Sequence, residues 1–159
     1  MNLIFSTQFP AHHPRAGEPT GFVNQILTGV KRFTIRRNYD FWFRFNFHIV
    51  DLCAWSGKPY HSKITKFASA EIRLSYIFDD CRSHEKPPHI HTCADKHNCL
   101  RDKNSGILFM PYLAANDGLT INDFNKWFPP KKSLIGHAII YFESIQSFFP
   151  FYFNNQLKS

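Results

Sequence analysis

The octet Gly29-Val30-Lys31-Arg32-Phe33-Thr34-Ile35-Arg36 constrains this chain more than any other stretch, because the hydrophobic period changes across it. Before it, Phe22, Val23, Ile26 and Leu27 recur at the i, i+1, i+4, i+5 spacing of one helix face, which predicts a helix over residues 21 to 28 with Thr20 as N-cap. Gly29 falls where such a helix ends in a residue of positive φ. After it the period is two. Phe33 and Ile35 alternate with Arg32, Thr34 and Arg36, so a strand here buries the first pair and presents the second set together on the opposite face. A hydroxyl flanked by two guanidiniums suits an anion or a nucleobase edge. Lys31 lies in the turn, outside strand parity, and its long stem can swing toward that same face.

The octet has the form G-x-K-x-x-T-x-R, and in this the chain resembles the ASCH domain family of the PUA-like superfamily, as a bacterial or phage member. The resemblance covers roughly residues 2 to 143, apart from a non-matching insertion. It implies an α+β fold, a small, partly closed PUA-like β-barrel with two short helices. Lys31 and Thr34 match the motif lysine and threonine that act in the family's N4-acetylcytidine amidohydrolases, and Arg36 matches the motif arginine. The stretch Ala114-Ala115-Asn116-Asp117-Gly118-Leu119-Thr120 is similar to the segment carrying the third functional residue, which becomes Asp117. The family residue there is glutamate, one methylene longer. Other ASCH domains bind RNA without chemistry, and neither use implies a required cofactor.

A chain of 159 residues fits one domain, with a core large enough to need no disulfide staples. Its formal net charge of +7, much of it between Lys31 and Arg73, favours a polyanionic partner. Aromatic residues make up 17%, dominated by 18 Phe, enough to fill a core and leave rings for a contact surface. The N-terminus has neither the basic flank nor the sustained apolar run of a signal peptide, and no stretch is apolar over the span of a bilayer. A cytoplasmic protein is expected, with no membrane partner and with Cys53, Cys81, Cys93 and Cys99 reduced.

From Arg37 to Phe47 aromatic and basic residues interleave. Phe41, Phe43, Phe45 and Phe47 share one strand parity and read as core, which leaves Tyr39, Trp42 and Arg44 as contact candidates beside Arg32. Strands are expected over 47 to 55, 63 to 77 and 137 to 142, with a turn at 56 to 60 carrying Lys58 at its tip as a further ligand contact. Thr120 and Asp123 form a capping-box pattern ahead of Ile121, Phe124, Trp127 and Phe128, and Pro129-Pro130 ends that helix. Asp117 is thereby held in a tight turn just before a capped helix.

Residues 79 to 106 form the insertion, polar and rich in cysteine and histidine. With almost no apolar residues the segment cannot order itself around a core of its own, so it is either a polar loop or is ordered by a structural Zn²⁺. Cys81-x-x-His84 and Cys93-x-x-x-His97 are the ligand pairs, with His89, His91 and Cys99 as substitutes. The tail over 144 to 159 is densely aromatic, and either packs on the body or forms a homodimer surface.

Function follows two lines. In the first, Lys31 and Arg36 hold phosphate or a base edge of RNA or a modified nucleoside, Thr34 hydrogen-bonds, and Tyr39 or Trp42 stacks. In the second, Thr34 is the nucleophile of an N4-acylcytidine amidohydrolase, Lys31 accepts its proton and Asp117 positions Lys31 or serves the leaving amine. A third class, a phage-type modulator that binds another protein through the aromatic tail, rests on no particular residues.

Overall fold

The computed structural model describes residues 1–57, 60–83, 85–94, 96 and 106–147. Seven strands and four short helices follow in the order β1 (Asn2–Phe5), α1 (Phe22–Leu27), β2 (Phe33–Arg36), α2 (Tyr39–Phe43), β3 (Ile49–Trp55), β4 (Ile64–Asp80), β5 (His89–Cys93), β6 (Gly106–Phe109), α3 (Met110–Asn116), α4 (Ile121–Trp127) and β7 (Ala138–Ser147) among the described residues. The class is α+β, as expected.

All seven strands join one sheet built around β4. At Ala68, Ser69 and Glu71 this strand pairs with both β3 and β7, and at Tyr76 with both β5 and β7, so β3 and β5 lie along one of its edges and β7 along the other. Strand β1 adds parallel to β3, β6 antiparallel to β5, and β2 antiparallel to β7 with Thr34 opposite Ile140. The sheet does not close, which corrects the barrel expectation: β1 and β2 share no backbone ladder. A side chain spans that gap instead, Arg36 Nη2 donating to the Ile4 carbonyl at 2.8 Å.

Strand alternation divides the apolar residues into two cores. Ala68, Ala70, Ile72 and Leu74 of β4 share one parity and pack with Leu3, Phe5, Leu52, Ala138 and Ile140, whereas Ile77 has the other parity and packs with Phe33, Ile35, Leu113, Phe124 and Ile139. Helix α1 serves both, with Ile26 in the first core and Phe22 in the second.

Several sequence expectations need correction. Residues 41 to 47 are not a strand: Asn38, at φ 63°, accepts a hydrogen bond from Phe41 N and starts α2, so local capping overrides the alternation. Phe43 and Phe47 are consequently 44% and 63% exposed, while Tyr39 enters the first core. Helix α1 begins after Gly21 in the left-handed region rather than from a Thr20 cap, although Phe22 N still reaches the Thr20 hydroxyl at 3.4 Å. The start of the polar insertion belongs to the body, since β4 runs on to Asp80, β5 pairs with it and Ile90 is fully buried. A buried ion pair fastens it to the rest of the fold. Arg82 holds Asp80 through Nε and Nη2 at 2.7 and 2.8 Å and donates to the carbonyls of Phe128 and Lys132, and Leu134 N donates to Asp80.

Candidate functional site

The octet delivers Lys31, Thr34 and Arg36 to one cavity, and Asp117 meets them there from a part of the chain 86 residues away from Lys31. Gly29 leaves α1 at φ 74°, Lys31 N donates to Gln25 O at 3.0 Å, and Arg32 N donates to Asn116 O at 2.8 Å. That last bond fastens the α1–β2 connection to the end of α3, where Asp117 is the C-cap residue. Gly118 then turns the chain toward α4. Its φ of 74° suits glycine, and a Cβ there would come within 2.0 Å of Gln25 Oε1 and 3.2 Å of Lys31 Cβ. The close approach of the two segments therefore depends on the missing side chain.

Lys31 is 1% exposed and Asp117 is 3% exposed. Lys31 Nζ donates to the Asp117 carboxylate and to its backbone carbonyl, the latter at 2.5 Å, and lies 4.4 Å from the centre of the Phe22 ring. Burial pushes the lysine pKa down against the pull of Asp117, and the nearby Arg36 pushes it further the same way. Burial likewise pushes the Asp117 carboxyl up, against Lys31 and Arg36. Both shifts favour the uncharged forms, so burial works against the ion pair that the contact makes.

The cavity, of about 50 Å³, is lined by Phe5, Phe22, Trp127 and Phe128 besides the polar set. Such a space admits a few water-sized groups. Thr34 shares its strand face with Arg36, and both point away from Phe33 and Ile35 in the second core. The Arg36 guanidinium, 5.4 Å from the Phe5 ring centre, is the cavity's one cation without a carboxylate contact among the described residues.

The other expected ligand contacts lie elsewhere. Arg32 is exposed, its Nε turned back to the Gly29 carbonyl at 3.4 Å. Tyr39 is a core ring whose hydroxyl donates to Ala94 O, and Trp42 packs against the first core, so neither offers a stacking face at the cavity. Lys58 and the tail from residue 148 fall outside the described residues. Of the rings that do line the cavity, Phe5 lies on β1 and Phe22, Trp127 and Phe128 carry only a core-type helix pattern in the sequence. Phe22 and Trp127 lie 5.6 Å apart between centres.

Of the expected metal ligands, Cys81, His89 and His91 come together, each offering a ligand atom within 4.8 Å of the others. Cys93 stands in a disulfide, which corrects both its assignment as a thiolate ligand and the expectation of four reduced thiols. His84, His97 and Cys99 lie outside the described residues. Among the described residues no helix is long and apolar enough to cross a membrane.

Comparison with known proteins finds no matching family model, no matching curated protein and no matching solved structure.

Proposed function

We propose that this is an ASCH-type module that binds RNA or a modified nucleoside in the cavity between β2 and the α3–α4 turn. The observation that carries the reading is the convergence of Lys31, Thr34, Arg36 and Asp117 on one aromatic-walled cavity. Because Lys31 is neutralised by Asp117, it is poorly placed to hold a phosphate. The lysine–carboxylate pair instead offers a donor and an acceptor side by side, which suits an amide or an exocyclic base edge. Arg36 supplies the positive charge for the backbone of the ligand, and Trp127 or Phe128 the stacking face.

The test is the salt dependence of short single-stranded RNA affinity, wild type beside Arg36→Ala. Weaker binding in the variant with a salt slope shallower by about one is expected. Equal affinity and slope in the two proteins would remove Arg36, and with it this site, from RNA recognition.

One observation favours a second reading, amide hydrolysis on N4-acylated cytidine. Burial moves Lys31 toward the free amine that a general base must be. Thr34 Oγ1 would attack the acyl carbon as its proton passes to Lys31 Nζ. Collapse would break the carbon–nitrogen bond, with that proton going to the departing amine of cytidine. Water would then release the acid from Thr34. Turnover of N4-acetylcytidine in wild type and its loss in both Lys31→Ala and Thr34→Ala would support this reading; a folded wild type that releases no cytidine would contradict it.

A further inference from the structure

We propose a second, independent site: a divalent-metal centre of zinc type formed by Cys81, His89, His91 and Glu85 at the β4–β5 hairpin. None of these residues lines the Lys31 cavity.

The hairpin builds the site by its own hydrogen bonds. Cys81 N donates to His89 O at 3.0 Å, which sets the first residue beyond β4 across from the first residue of β5, and Glu85 N donates to Cys81 O at 3.1 Å, which folds the intervening turn back on the thiol. His89 and His91 are two apart on one strand, so both rings project to the same side. Their Nε2 atoms stand 3.2 Å apart, close to the ~3.3 Å separating two nitrogens bound tetrahedrally at ordinary zinc distances.

The tautomer of His89 is fixed by its surroundings. Its Nδ1 lies 2.8 Å from the Pro87 carbonyl, which can only accept, so Nδ1 carries the proton and Nε2 presents a lone pair toward His91 and Cys81. A backbone carbonyl behind the imidazole in this way is the usual outer partner of a metal-bound histidine. His89 and Cys81 are buried, and His91 is half-buried with its ring 5.7 Å from that of Phe78. Glu85, whose side chain is 53% exposed, places Oε2 3.6 Å from His89 Nε2 and is the fourth ligand. Asp79, whose Oδ2 is 3.7 Å from Cys81 Sγ, accepts the thiol hydrogen.

One thiolate, two neutral imidazoles and one carboxylate neutralise a divalent ion and match the donor softness of Zn²⁺, and displacement of the Cys81 proton accompanies binding. The ion clasps the turn between β4 and β5, next to Arg82 and its bonds to Phe128 and Lys132.

Titration of the chelator-treated, disulfide-intact full chain with Co²⁺, under anaerobic conditions without thiol reductant, tests the site. One equivalent of cobalt is expected to bind, with the near-ultraviolet charge-transfer band of a cobalt–thiolate bond, and Zn²⁺ is expected to abolish the band by displacement. Cys81→Ser should lose the band, and His91→Gln, at a half-buried position with native circular dichroism as control, should bind cobalt more weakly by over about tenfold. No stoichiometric cobalt binding by the folded wild type would overturn the proposal. So would a thiolate band that survives Cys81→Ser, or an affinity unchanged in His91→Gln.

Discussion

Lys31 and Asp117 form a costly pair of side chains, since each is almost wholly removed from water and each is pushed toward its neutral form. Removing one partner strands the other. Asp117→Ala is therefore expected to destabilise the fold by about 3–5 kcal/mol in urea unfolding, whereas the double change Lys31→Met with Asp117→Leu should cost less than that single change. A double variant as unstable as the sum of the two single ones would mean the pair is not coupled. Gly118→Ala is expected to cost about 1–2 kcal/mol through its positive φ, with additional displacement of Gln25 Oε1. Gln25 Oε1 is a buried acceptor without a hydrogen-bond partner among the described residues, and it sits beside the site unannounced by any sequence pattern. Lys31, Thr34 and Arg36 reach one cavity from a single octet, whereas Asp117, 86 residues from Lys31, was singled out by the family resemblance and not by any local spacing. The lining rings were not, since a phenylalanine at helix-face spacing reads the same whether it meets a core or a cavity.

At the scale of elements, signals that a few residues complete by themselves survived in the structure. Thr120 accepts from Asp123 N at 3.0 Å and starts α4 where the capping box expects it, so Thr120→Ala should lower stability by about 0.5–2 kcal/mol, read by thermal or urea unfolding. An unchanged midpoint would show that the cap contributes nothing. Long-range pairing was less legible. The alternation of Phe41 to Phe47 lost to the Asn38 cap, and α3 was missed because its apolar face is short, only Met110, Leu113 and Ala114 being buried. The start of the polar insertion is fastened where Arg82, paired with its near neighbour Asp80, reaches the carbonyls of Phe128 and Lys132, partners that no local pattern identifies. Through Phe128 the same arginine ties the β4–β5 hairpin to a wall of the cavity.

At the scale of the whole molecule, a single sheet carries two cores and leaves one seam open between β1 and β2, bridged by Arg36. The seam is where the cavity lies. Burial holds His137, at the entry to β7, below its ordinary pKa, opposed by the backbone at Ile135 and Leu134 and reinforced by Arg37 and Arg82. The unfolded chain binds that proton at higher pH than the folded one, so the stability His137 permits is complete above about pH 6.5 and falls as pH drops toward the folded value. His137→Leu should flatten this slope in unfolding experiments between about pH 7 and 5; a slope unchanged by the substitution would assign the acid sensitivity to another group. The net charge of +7 would draw a polyanionic partner at long range, and the central proposal is that the cavity recognises it. Calorimetric titration with N4-acetylcytidine, wild type beside Thr34→Val, tests that most directly. One-to-one binding, weakened about tenfold when the hydroxyl is lost, is expected. Absence of binding by the folded wild type, or equal affinity in Thr34→Val, would contradict a nucleoside site at this cavity.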